Sequence, residues 1–302
     1  VASVLTYLTV TLGGIVCVTD SSQGCPDWPG CYGQLVPPMR GDSILEFTHR
    51  VMAGLTSLFI IASAIAGRRT FRSIRWVSWP PVIAAALLLA VVAFGAIAVL
   101  RGLEPGLAAL DLGSALMVLA LVLTATVVAF SRHGNPGLPD RLSFRSPYAK
   151  LTLWTLVTVF IVLVSGVLVA ASGSVVRCLG WPLYGGRLIP VDVRSWLQLA
   201  RRLLAVPASI LVIAVVVRAW REQRLQGAIR ITATAVGVLF VIETLVGALM
   251  LVYGLAVPLQ VLYVATAAAF WALLVALVVL ASLASPTPAE DRGVAEQARI
   301  FP

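Results

Sequence analysis

Cys25-Pro26-Asp27-Trp28-Pro29-Gly30-Cys31-Tyr32-Gly33-Gln34-Leu35-Val36-Pro37 is answered about 152 residues further on by Cys178-Leu179-Gly180-Trp181-Pro182-Leu183-Tyr184-Gly185-Gly186-Arg187-Leu188-Ile189-Pro190. The cysteine, the Trp-Pro pair, a glycine, a leucine and the closing proline recur without a gap, and Tyr184 stands where Cys31 would be. After a one-residue adjustment, Ser43-Ile44-Leu45-Glu46-Phe47-Thr48-His49-Arg50 aligns with Ser195-Trp196-Leu197-Gln198-Leu199-Ala200-Arg201-Arg202. Further on, Gly95-Ala96, Gly102, Leu110 and Asp111 keep the mutual spacing of Gly247-Ala248, Gly254, Leu262 and Tyr263. Any two apolar helices resemble each other in composition, but composition does not write the same cysteine and Trp-Pro loop twice. The chain therefore reads as an internal duplication.

What is duplicated follows from the segments between these landmarks. Hydrophobic residues make up 60% of the 302 positions and charged ones 12%, against a charged share of roughly a quarter in soluble domains. Apolar runs long enough to cross a bilayer, which takes roughly 20 helical residues, recur near 1–19, 44–66, 77–100, 107–130, 151–171, 195–217, 231–252 and 257–283. The expected fold is all-α: an integral membrane protein of eight transmembrane helices, arranged as two tandem four-helix bundles. Four helices is an even number, so both copies share one orientation and a pseudo-two-fold axis runs along the membrane normal. The expected units are a first half at 1–131, a linker at 132–150, a second half at 151–284 and a polar, disordered tail at 285–302. The first helix is expected to be a retained span, because no charged leading segment or small-residue cleavage site accompanies it.

The net charge of +9 is concentrated in alternate loops. Arg68, Arg69, Arg72 and Arg75 follow the second run; Arg132, Arg141, Arg145 and Lys150 the fourth; Arg218, Arg221, Arg224 and Arg230 the sixth. This is the positive-inside pattern. It predicts a multi-pass protein of a prokaryotic plasma membrane with both termini cytoplasmic and the cysteine loops outside. A nucleic-acid binder would present a soluble basic face with groove-reading elements, so the bilayer, and no nucleic acid, is the expected partner.

On the oxidising side of the membrane, Cys25 and Cys31 are expected to form a disulfide. Such a bond either staples the loop or takes part in redox chemistry, and both readings stay open. No further cysteine or histidine accompanies the pair to make a metal site. Cys17 lies within the first helix, and Cys178 has no second cysteine beside it.

Ionisable side chains inside a bilayer are costly and mark function by default. Glu46 and His49, three apart on one helix, face the same way, roughly one to two turns below the outer surface. Asp111 enters the fourth helix at similar depth. The duplication places Gln198, Arg201 and Tyr263 at the corresponding positions, so two equivalent pockets are expected. One is lined by Glu46, His49 and Asp111, the other by Gln198, Arg201 and Tyr263. An interhelical hydrogen bond is the plain alternative for His49. Arg50 and Arg202 either hold a ligand's carboxylates or snorkel towards the interface. Glu243 is a further buried acid suited to an arginine partner, and His133 reads as solvated. Gly13, Gly14 and Gly166 read as close-packing positions.

Gly13-Gly14, the Gly24-to-Cys31 loop, Gly33-Gln34-Leu35-Val36-Pro37-Pro38 and Glu46-Phe47-Thr48-His49-Arg50 together resemble the haem A synthase family, of the Cox15/CtaA type. The likeness spans essentially the whole chain. It implies an oxidoreductase that converts haem O to haem A, by oxidising a porphyrin methyl group, for terminal oxidase assembly. Haem O or a related porphyrin, haem O synthase and terminal oxidase subunits are the implied partners. The resemblance also implies catalysis by Glu46, haem iron on His49 and a disulfide or covalent role for Cys25 and Cys31. Family members carry one histidine on each of helices 2, 4, 6 and 8, one pair for the substrate and one for a haem b cofactor. Here three of those positions fall on Asp111, Arg201 and Tyr263. A guanidinium does not lose its proton in proteins, so the second-half haem b is expected to be absent. Tyrosinate can serve as an axial ligand, but an Arg201–Tyr263 hydrogen bond is the simpler expectation. A non-catalytic haem-binding or assembly protein is the alternative, and a repurposed membrane transporter a more distant one.

Overall fold

The computed structural model describes residues 1–34, 36–102, 104–138, 140–171 and 193–285. The second copy of the outer loop, with Cys178 and Tyr184, and the tail beyond Ser285 lie outside the described residues. The described residues form nine α-helices: α1 (Ala2–Val18), α2 (Gly41–Thr70), α3 (Arg75–Ser78), α4 (Pro80–Arg101), α5 (Pro105–Gly134), α6 (Pro147–Ala171), α7 (Val193–Glu222), α8 (Gly227–Val252) and α9 (Val257–Leu283). Seven spans are long and apolar enough to cross a membrane: α2, α3 with α4, and α5 to α9. The eighth expected span, α1, is apolar but has only 17 residues.

Proline sets several boundaries. The single span expected at 77–100 is broken at Trp79 into α3 and α4, because Pro80 and Pro81 lack the N–H groups that would continue a helix through them. At the first positions of α4 that lack is harmless, and proline recurs there in α5 and α9. Pro207 lies inside α7, which runs on through it. The last turn of α2 extends beyond the apolar run to Arg68 and Arg69, where cations meet the negative end of the helix dipole.

Two rings of four helices make up the bundle. In the first, α1 packs on α2 and α5, and α4 packs on α2 and α5; in the second, α6 packs on α7 and α9, and α8 packs on α7 and α9. The rings meet where α5 touches α9, α1 touches α9 and α5 touches α6. Exchanging α1 with α6, α2 with α7, α4 with α8 and α5 with α9 leaves this set of pairings unchanged. In each ring the second and fourth helices, α2 with α5 and α7 with α9, therefore stand diagonally across the interior.

The most deeply buried side chains sit between the rings. Trp271, Leu274 and Leu277 of α9 pack with Leu116 and Leu119 of α5, and Trp271 Nε1 donates to the Leu116 carbonyl at 3.0 Å. Hydroxyl pairs tie α1 into its ring, Ser3 to Thr126 and Thr9 to Thr56, each at 2.7 Å. At the end rich in arginine, the Asp140 carboxylate accepts from the N–H groups of Arg75 and Trp76, capping α3. Ser143 N–H donates to the Ser282 carbonyl there. His133 is exposed at that end, as its solvated reading expects.

Candidate functional site

At the other end, the connection from α1 to α2 is a compact loop closed by a disulfide between Cys25 and Cys31, both fully buried. The bond expected from the sequence is thus present. The Asp27 carboxylate turns the chain back on itself by accepting from Tyr32 N–H at 2.6 Å and Gly33 N–H at 2.5 Å. These bonds, Gly33's foremost, hold the Asp27 carboxyl below the usual carboxylate range. Tyr32 and Gly33 both have positive φ, at 56° and 67°, and at Gly33 the missing side chain removes the steric cost. Ser43 Oγ of α2 donates to the Gly24 carbonyl at 2.7 Å. A Cβ at Gly24 would lie 2.5 Å from the Asp42 backbone, so only glycine allows this seat.

Arg50 joins the loop to α2. Its Nε donates to Glu46 Oε1 at 2.9 Å, one turn earlier. One terminal nitrogen donates to the carbonyls of Asp27 and Gly30, each at 2.6 Å, and the other to the Cys25 carbonyl at 3.1 Å. Both Glu46 and Arg50 are largely buried, at 8% and 12% side-chain exposure. Of the five guanidinium donors, three are thus engaged by loop carbonyls and one by Glu46.

His49 faces α1. A Cβ at Gly13 would lie 2.8 Å from His49 Cε1, so the glycine is what admits the imidazole. His49 Nδ1 is buried without a hydrogen-bond partner, and so is Asp111 Oδ1. Counting from the helix starts at a rise of 1.5 Å per residue, both lie roughly 10 Å along their helices. They belong to α2 and α5, the diagonal of the first ring. Asp111 is also within electrostatic range of Cys17, one turn beyond Gly13 on α1.

The second ring repeats the layout with different chemistry. A Cβ at Gly166 of α6 would lie 3.0 Å from an Arg201 terminal nitrogen, as one at Gly13 would crowd His49. Across the diagonal, the Arg201 guanidinium lies close to the Tyr263 hydroxyl and within electrostatic range of Glu243. Glu243 also accepts a hydrogen bond from Thr266 Oγ1. Gln198 is buried and Arg202 half-buried on α7.

Buried polar atoms in native proteins are nearly always satisfied, so the exceptions are informative. His49 Nδ1 and Asp111 Oδ1 are unused in the first ring, and Glu243 Oε1 is unused in the second. What sets the first ring apart is that one of its unused atoms belongs to an imidazole. Among the described residues no group of three or more histidine, cysteine or acidic side chains could hold a bare metal ion. A single buried imidazole suits a metal that brings further ligands of its own, as an iron porphyrin would.

Sequence reasoning anticipated the Cys25–Cys31 bond and an arginine near Glu243 but missed Arg50's carbonyl contacts and the turn around Asp27. The available signal was an aspartate five and six residues before Tyr32 and Gly33, a short acceptor suited to bonding local backbone N–H groups.

Comparison with known proteins identifies the family. The profile of the COX15-CtaA family, described as cytochrome oxidase assembly protein, matches residues 1–45 and 40–275. A Heme A synthase of Geobacillus kaustophilus is 30% identical over 234 residues, 74% of this chain and 72% of the relative. A Heme A synthase of Staphylococcus aureus strain JH9 is 27% identical over 252 residues, 82% of this chain and 83% of the relative. With its long apolar helices, its disulfide-closed loop and a family match running almost end to end, the chain is a multi-pass membrane protein that belongs to the COX15-CtaA family.

Proposed function

We propose that the protein is a haem A synthase-like oxidoreductase that acts on haem O in the first ring and serves cytochrome oxidase assembly. The observation that carries the reading is the buried His49 of α2 with its unused Nδ1, together with the equally unused Asp111 Oδ1 on the diagonally placed α5. The relatives named Heme A synthase supply the substrate class. When bound, the iron porphyrin would supply a redox-active iron, and the oxidant for its methyl group would have to come from outside the chain. The chain's part is to hold and to exclude. His49 offers an imidazole nitrogen to the iron, and Gly13 fixes where that imidazole can stand. Asp111 provides a second polar contact from α5. Glu46, catalytic in this reading, keeps a carboxylate near the site by its bond to Arg50, and the disulfide loop above it limits access of water.

The second ring does not fit a haem with axial protein ligands. Arg201 carries a permanent positive charge and offers iron no lone pair, so the second ring lacks the pair of nitrogen ligands that a bis-histidine haem needs. The haem b expected of the family is therefore left out of the reading, and Arg201, Tyr263, Gln198 and Arg202 are assigned to structure. The two rings are read as a tandem duplication, 1–131 and 151–284 joined by 132–150. Their matched helix pairings and the matched Gly13–His49 and Gly166–Arg201 contacts support it. The arginine-rich end is assigned to the cytoplasm and the cysteine loop to the outside of a prokaryotic plasma membrane. Haem O synthase and terminal oxidase subunits are the proposed protein partners.

The test is to express the chain in a host that makes haem O but no haem A, and to chromatograph the haem extracted from the purified protein. Haem A in the extract, abolished by Glu46→Ala, supports the enzyme. Bound haem that is never modified would demote the chain to a haem-binding assembly protein, and a haem-free preparation would refute both.

A further inference from the structure

The three carbonyls that accept from Arg50 belong to Cys25, Asp27 and Gly30, all within the segment closed by the Cys25–Cys31 bond. The loop reaches this shape by contacts that do not involve Arg50. Asp27 fixes the turn at Tyr32 and Gly33, Cys31 and Gln34 exchange both backbone hydrogen bonds, and Ser43 holds Gly24. The loop thus has supports of its own, and three of its carbonyl oxygens converge on the planar guanidinium. A lysine ammonium, with three donors on a point charge, cannot bridge three loop carbonyls and a carboxylate in that fork geometry.

The remaining bond of the fork points back along α2 to Glu46. A charge-assisted bond of this kind is directional and about twice as strong as a neutral one, and Glu46 is buried where no water competes freely for it. The position of the Glu46 carboxylate is then set by the loop and not by the rotamer preference of Glu46 alone.

We infer that Arg50 is a positioning residue: it transmits the shape of the disulfide-closed loop to Glu46, so that opening the loop displaces the carboxylate. Any catalytic consequence rests on the role proposed above for Glu46, while the coupling itself does not. Arg50 touches no substrate in this account, and no redox step is assigned to the cysteines.

The experiment uses the full chain in lipid nanodiscs and infrared difference spectroscopy. The Glu46 carboxylate band is assigned by its absence in Glu46→Gln. The Cys25–Cys31 bond of the otherwise wild-type protein is then cleaved with a water-soluble phosphine and the thiols alkylated. The expected result is a shift of the Glu46 band on cleavage, loss of that shift in Arg50→Gln, and no restoration by Arg50→Lys. Cleavage needs no substitution, so a variant that fails to fold leaves the first outcome readable. A Glu46 band indifferent to cleavage would overturn the coupling, as would an Arg50→Lys protein that responds like the wild type. A shift in a protein that makes no haem A would keep the coupling and remove the function. Haem A formed at the wild-type rate by Arg50→Gln, with the band unmoved by cleavage in the wild type, would do the reverse.

Discussion

A methyl group at position 13 would stand 2.8 Å from His49 Cε1, closer than real carbon contacts allow. Gly13→Ala must therefore displace the imidazole, at an overpacking cost of about 1–3 kcal/mol. The expected outcome in a haem titration is binding weakened by about tenfold or more. Gly54→Ala, with nothing within 4 Å of the added atom, should bind as the wild type does. Asp27 gives a second prediction at this scale, with a definite sign. Its folded-state carboxyl is held below the usual range, so its contribution to the loop is fully present above the free-chain value of about 3.9 and is lost as pH falls through the lower folded value. The rate at which a phosphine cleaves the Cys25–Cys31 bond, divided by its rate on an unstructured disulfide peptide at the same pH, should stay flat from neutral pH to about 4 and rise only below it. In Asp27→Asn it should already be raised at neutral pH. The identities of Glu46, His49, Cys25 and Cys31 were legible in the sequence because polar residues in apolar surroundings stand out. Arg50's partners were not, since backbone carbonyls from a loop carry no signature in the letters of the chain.

Among elements, α1 shows how little room separates the two halves. A Cβ at Gly14 would lie 2.3 Å from Val264 Cγ1 on α9, so the small residue sets the approach of the helices, as small residues do in membrane interfaces. Gly14→Ala should destabilise the protein by about 1–3 kcal/mol, read as a lowered melting midpoint in detergent. Adding Val264→Ala should recover part of the loss, and equal midpoints for the single and double variants would show that the contact does not govern the seam. The existence of the helices was legible from apolar run length alone. The break at Trp79 was not read, although Pro80 and Pro81 were visible, because the apolar character continues across them. The extra turns of α2 and α7 beyond the expected 44–66 and 195–217 were missed for the opposite reason. Their ends are polar, and run length does not register polar helix.

For the whole molecule, the comparison of the rings decides the functional reading. Both have a glycine on their first helix that admits the site side chain of their second, a correspondence foreshadowed by the repeated spacings in the sequence. The sequence already pointed to the first half, which keeps Glu46, His49 and the cysteine pair. In the structure Arg201 lies beside Tyr263 in the second ring, where Glu243 Oε1 is unused, and His49 and Asp111 have unused buried atoms in the first. The account's central claim is that the first ring alone holds a haem. Its most direct measurement is the haem-to-chain ratio of the purified protein, compared among wild type, His49→Ala and Tyr263→Phe. The account predicts one haem per chain, lost in His49→Ala and retained in Tyr263→Phe. Two haems per chain, or a haem that survives His49→Ala and disappears with Tyr263→Phe, would contradict it.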